Sequence, residues 1–177
     1  ATEFSGTRLS AGWSVLSGSG TATVNNGVIA LNGATVGPAG FYSAGHSVEA
    51  VATFTAGIHQ HVGFSVNLTG TVGDAWAIIS TGFRGTGLSA RCWTGSGAFD
   101  TQSTPITGSF LGTPHRYRVD WNTSSIAYYV DGVLAATHNV TISTPMRPLV
   151  SVGPIDATPL TVDWLRMSPY PSPGAFA

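Results

Sequence analysis

Lysine is missing from this chain of 177 residues, and all seven basic side chains are arginines. Glutamate is almost missing too, with only Glu3 and Glu49 present. Charged residues make up 8% of the total, against roughly a quarter in an ordinary soluble domain. With a formal net charge of −1, the chain lacks the basic face that binds phosphates, so no nucleic-acid partner is expected. The single cysteine, Cys92, cannot close an internal disulfide and reads as a small buried apolar residue. No apolar run reaches the ~20 residues needed to span a bilayer. A sustained 3.6-residue apolar period is missing as well, which removes helices from the expectation. There is no fixed-period self-similarity, so a propeller or solenoid is not expected.

What is present points to β structure. Glycine (23) and proline (10) punctuate stretches rich in threonine, valine and serine. Alternating segments are read near Ala22–Val24, Val28–Asn32, Ala34–Val36, Ala39–Ser43, Ser47–Thr55, His61–Leu68, Ala75–Thr81 and Leu88–Thr94. Others follow at Ala135–Val140, Met146–Gly153 and Leu160–Met167. The clearest signal lies at 115–132. Tyr117, Val119 and Trp121 alternate with Arg116, Arg118 and Asp120, a polar turn follows, and Ile126, Tyr128 and Val130 lead to the turn pair Asp131-Gly132. Eleven or more short strands without helices describe an all-β, two-sheet antiparallel sandwich. Residues 1–170 are expected to form one domain and 171–177 a linker or tail. Trp13, Trp121 and Trp164 fall in core registers.

The hairpin resembles one in the concanavalin A-like lectin and glucanase superfamily, glycoside hydrolase family 16 in particular, where a similar H-x-Y-x-(I/V)-x-W…Y-V-D-G text recurs. The opening Phe4-Ser-Gly-Thr-Arg-Leu…Trp13 and the closing Val162-Asp-Trp-Leu-Arg166 resemble the two ends of such domains, in the same order. The resemblance implies a jelly roll whose concave sheet faces polysaccharide. It also implies a structural calcium ion on the convex side, with Asp163 and backbone carbonyls near the N-terminus as ligands.

The resemblance also sets a test for catalysis. Family 16 enzymes carry an E-x-D-x-x-E acid set on one strand, and a retaining glycosidase needs two carboxylates about 5–5.5 Å apart. The strands that should hold them, His61–Leu68 and Ala75–Thr81, contain no glutamate, and Asp74 has no acidic partner at i+2 or i+4. The family's hydrolytic machinery is therefore read as absent. Two enzymatic alternatives stay open: a divergent hydrolase using Glu49 and Asp74, or a lyase using His61 as base. His59 and His61 could share a metal, although no third ligand is apparent.

A binding role asks only for aromatic platforms and polar rims. On Leu88–Thr94 the small set Leu88, Ala90 and Cys92 suits the core, leaving Arg91 and Trp93 on the open face. On Ala75–Thr81 either Trp76, Ile78 and Ser80 or Ala75, Ala77 and Ile79 face outward; the polar end of the first set suggests that Trp76 joins the groove, against a core position for it. His61, Ser65, Asn67, Trp76, Arg91 and Trp93 thus form the expected sugar strip. Glu49, pointing away from its own core face, is a further candidate contact. The expectation is a non-catalytic carbohydrate-binding module that meets polysaccharide outside the cell. It would be a mature module or one cut from a larger multidomain chain; a structural spacer is the remaining alternative.

Overall fold

The computed structural model describes residues 2–4, 6–155 and 158–170, with the side chains of residues 2 and 3 left aside. The tail expected at 171–177 lies outside the described residues. Fifteen strands occur in chain order: β1 (Thr2–Glu3), β2 (Trp13–Ser17), β3 (Thr21–Asn25), β4 (Val28–Asn32), β5 (Thr35–Pro38), β6 (His46–Thr53), β7 (Gln60–Ser65), β8 (Trp76–Ser80), β9 (Leu88–Trp93), β10 (Gln102–Ile106), β11 (His115–Trp121), β12 (Ile126–Val130), β13 (Val133–His138), β14 (Arg147–Val152) and β15 (Leu160–Pro169). No helix occurs among the described residues. The expected strand at Ala39–Ser43 is reduced to one bridge, Tyr42 to Met146. β2 and β10 were not expected. β2 places exposed Val15 outward and β10 contains Pro105, so neither carries a clean alternating signal.

The strands build two sheets in which every ladder between named strands is antiparallel. One runs β13-β12-β11-β6-β15-β4-β3, with β1 added on β15, and the other runs β10-β9-β8-β7-β14-β5-β2. Period-2 alternation sends one face of each sheet into a shared core. From the first sheet come Val48, Ala50, Ala52, Tyr117, Val119, Trp121, Ile126 and Tyr128. From the second come Val62, Phe64, Ala77, Ile79, Ala90, Cys92 and Val150. The 115–132 hairpin has the expected register, Tyr117 opposite Val130 and Trp121 opposite Ile126. The Trp121 indole N–H donates to the Ile142 carbonyl at 3.2 Å, so its polar end is satisfied inside the core. Trp13 lies partly buried at the edge of that core and meets Phe4 edge-on at 6.0 Å.

Trp164 departs from its expected core position. A register shift between Val162 and Trp164 lets Val162 and Leu165 both enter the core, while Trp164 pairs with the outward-facing Val51. The extra residue of this bulge, Asp163, inverts the alternation beyond it. Arg166 then covers the Trp164 ring, 5.3 Å from its centroid.

Candidate functional site

The outer face of the seven-stranded sheet is built from the positions that alternate with its core set. β7 contributes His61, Gly63 and Ser65, β8 contributes Trp76, Ile78 and Ser80, and β9 contributes Ser89, Arg91 and Trp93. Gly63 is required at its position. A Cβ there would sit 2.3 Å from the Ala77 carbonyl oxygen, and its φ of +153° belongs to the glycine region. Trp76, Ile78 and Trp93 cluster on this face, apart from the main core and with Leu68 packed alongside. Their rings are not open to solvent. Phe99 from the β9–β10 loop stacks over them, 4.7 Å from Trp93 and 6.1 Å from Trp76, and is itself 62% exposed.

Two loops hold this aromatic roof in place. The β7–β8 loop folds around Asp74, whose buried carboxylate accepts the backbone N–H groups of Asn67 (2.8 Å), Leu68 (3.1 Å), Thr69 and Gly70 (3.0 Å), together with the Thr69 hydroxyl. The β9–β10 loop is tied to it where Gly73 N–H donates to the Gly95 carbonyl at 2.7 Å. Four backbone donors on one carboxylate make Asp74 a loop anchor.

Beside the roof lies a cleft of about 290 Å³ lined by His59, His61, Leu68, Trp76, Ile78, Phe83, Arg91 and Phe99, with Thr69 and Gly70 completing its rim. Phe83, from the β8–β9 loop, is 74% exposed and meets His59 edge-on at 4.5 Å. Burial, followed by the charge of Arg91 and then of His59, pushes His61 down to about 3, so its imidazole stays neutral at ordinary pH. Burial and then Arg91 lower His59 as well. The His61 Nδ1 and the Trp76 Nε1 are both buried and have no protein partner. Arg91 is spoken for. Its Nε lies 3.1 and 3.0 Å from the two Asp100 oxygens, its second terminal nitrogen 2.7 Å from one of them, and its first 3.2 Å from the Ser80 hydroxyl.

Of the expected strip, His61, Trp76 and Arg91 line the cleft, and Trp93 supports it from beneath Phe99. Ser65 and Asn67 do not reach it. The Ser65 hydroxyl donates to the Ala75 carbonyl (3.0 Å) and accepts from Leu68 N–H (3.2 Å), while Asn67 accepts from Arg147 at 2.5 Å. Both are used in fastening the loop. Phe83, Phe99 and His59 complete the cleft. The two phenylalanines were missed because alternation carries no information in loops; an aromatic set in a glycine-rich run such as Gly95-Ser-Gly-Ala-Phe99 was the available signal.

Glu49 lies on the other sheet, on the outer face of β6. Arg166 Nε donates to it at 2.7 Å and Arg116 Nε stands 3.2 Å away. It therefore cannot form a carboxylate pair with Asp74 across one groove. Nearby, Arg118 covers the Tyr129 ring at 4.0 Å, and its Nε lies 3.2 Å from Asp120 without the alignment of a hydrogen bond. Asp163 is exposed at the β15 bulge, and the nearby Arg166 is engaged with Glu49. β1 pairs with β15, Glu3 opposite Trp164, so N-terminal backbone runs beside Asp163.

Together these features define an all-β, antiparallel jelly-roll sandwich with an aromatic cleft on one outer face. Solved structures share the fold. The β-glucanase of Bacillus licheniformis is 18% identical, with a TM-score of 0.66 over 94% of this chain and 96% of that one. The endo-β-1,3-glucanase of Pyrococcus furiosus is 15% identical, with a TM-score of 0.69 over 96% and 93%. A Mycobacterium tuberculosis protein described as an immunostimulatory antigen and pseudo β-1,3-glucanase is 19% identical, with a TM-score of 0.58 over 84% and 78%. At these identities the likeness is one of fold. No protein-family model matches the chain, and no curated protein matches it.

Proposed function

We propose that this chain binds a neutral glycan in the cleft between Phe83 and Phe99 and does not cleave it. One observation carries the reading: two exposed phenylalanines flank a recess lined by His61 and Trp76, whose buried Nδ1 and Nε1 no protein group satisfies. Buried polar atoms without partners are uncommon in native folds, and sugar hydroxyls are the groups that would satisfy these. Aromatic rings beside hydroxyl-binding nitrogens are the usual chemistry of sugar recognition. The glucan-acting proteins that share the fold support a carbohydrate ligand.

The electrostatics favour binding over catalysis. The outward residues of β8 are Trp76, Ile78 and Ser80, none of them an acid, and Asp74 and Asp100 are already bound by loop amides and by Arg91. A lyase would need an arginine free to neutralise a uronate and a base that titrates near working pH. Arg91 is paired with Asp100, and a histidine held near 3 is a weak base. The same pairing leaves the cleft without net charge, which suits an uncharged sugar. In this reading the protein acts outside the cell as part of a larger chain, and Asp163 with the neighbouring N-terminal carbonyls is where a structural calcium would be held.

The test is titration calorimetry against laminarin and lichenan, glucans of the kinds the neighbours' names suggest. Wild type is expected to bind, and Phe99→Ala to weaken binding about fivefold, since loss of one stacked ring costs on the order of 1 kcal/mol. No heat from either glucan, or equal affinity in the variant, sinks the proposal. Reducing ends or unsaturated products released from those polysaccharides would overturn the non-catalytic part.

A further inference from the structure

We infer that the cleft receives the end of a glycan chain and excludes an internal stretch, an inference that rests on the glycan-binding reading above. A strand of polysaccharide held internally must enter a groove on one side and leave on another. Among the described residues this recess is bounded by side chains and loops on each side. At the Trp76 end of β8 the two loops close over the sheet. Gly73 and Gly95 are hydrogen-bonded there, and a Cβ on Gly70 would already lie 3.2 Å from the Phe99 ring.

At the Ser80 end stands Phe83, packed edge-on against His59. His59 also closes the side toward β14, where a Cβ on Gly153 would fall 2.9 Å from the His59 Cβ. Its backbone is fixed between the Gly82 carbonyl and the Gly153 N–H, at 2.7 and 2.9 Å, with a φ of +53°. Across the sheet, toward β10, the Arg91–Asp100 ion pair stands between this recess and a larger, more open depression over β9 and β10, of about 550 Å³. A residue in the left-handed region and a bidentate ion pair are costly features to move, so both are fixed walls.

Size points the same way. A recess of about 290 Å³ falls at the lower limit of small-molecule pockets, roughly 300–1,000 Å³. A terminal sugar with part of its neighbour fits that space, and a run of several does not. The ligand class is thus a neutral chain end whose terminal ring lies against Phe99 or Phe83 and whose hydroxyls meet His61 Nδ1 and Trp76 Nε1. The neighbours that are named as endo-acting enzymes work on chain interiors, so a chain-end site is a distinct use of the fold.

Calorimetry with β-1,3-linked glucose oligomers from two to six units tests this directly. Affinity should change less than about threefold over the series. The sites titrated per gram of laminarin should rise when an endo-glucanase has first cut the polymer and multiplied its ends. A rise of threefold or more between dimer and hexamer, or a capacity indifferent to cutting, overturns the chain-end inference while leaving glycan binding intact. If neither the oligomers nor the polymer bind, both fall together.

Discussion

His61 shows how a single side chain can tie the cleft to solution conditions. Burial and the neighbouring Arg91 hold its ring neutral, with a folded value of about 3 against the ordinary 6.5. Between those values the unfolded chain carries the proton and the folded chain does not. Stability from this residue is therefore complete above pH 6.5 and is lost as pH falls toward 3. One proton of difference gives a slope approaching about 1.4 kcal/mol per pH unit. His59 and His138, both lowered chiefly by burial, add the same sign, while Asp120, raised by burial, opposes it. Urea midpoints measured from pH 7 to pH 4 should fall for wild type and fall less steeply for His61→Gln. Parallel curves would show that His61 is not neutral in the fold. Its outward position could be read from alternation with Val62 and Phe64. Its neutrality could not, because it depends first on burial in the folded chain and then on Arg91, which is distant in sequence.

The loops are the elements that make the cleft, and they were the least legible part of the chain. Strand patterns placed Arg91 and Trp93 on the open face, since Leu88, Ala90 and Cys92 suit the core, but left two registers open for β8; Ala77 and Ile79 enter the core and Trp76 faces outward. They could not show that Phe99 would cover the tryptophans, or that Ser65 and Asn67 would be drawn into a cage around Asp74. Trp164 failed for a related reason: one bulged residue reverses alternation and leaves no mark in composition. The joint between the loops is narrow at Gly70, which has a φ of +73° and meets Phe99 where a side chain would begin. Gly70→Ala should cost about 1 kcal/mol from backbone strain, read as a lower urea midpoint. By displacing Phe99 it should also weaken glycan binding. A variant with unchanged affinity would detach Phe99 from the site.

At the scale of the molecule, Cys92 gives a reporter of how often the sandwich opens. The sole thiol is fully buried, burial raises it to about 11, and His138 Nδ1 lies 3.3 Å from its sulfur. A thiolate is therefore scarce and unreachable in the native state. Labelling with an aromatic disulfide in native buffer should proceed only as fast as the two sheets separate, and at once in denaturant. If Asp163 and the β1 backbone hold calcium, added calcium should slow that labelling in wild type and leave Asp163→Ala unchanged, because a ligand of the folded state reduces opening. Rapid native labelling would contradict the buried core.

The aromatic cluster of Trp76, Ile78 and Trp93 belongs to neither the sandwich core nor the solvent. It is a second, smaller store of cohesion, placed on the far side of the sheet and closed by its own loops. Such a unit can loosen, exchange residues or accept a new insertion while the larger core keeps the fold intact. The scaffold is thereby insulated from experiments made on its surface. Sequence drift in the Phe83 and Phe99 loops could retune what the face recognises without endangering the protein, which is a route by which one sandwich diversifies its ligands.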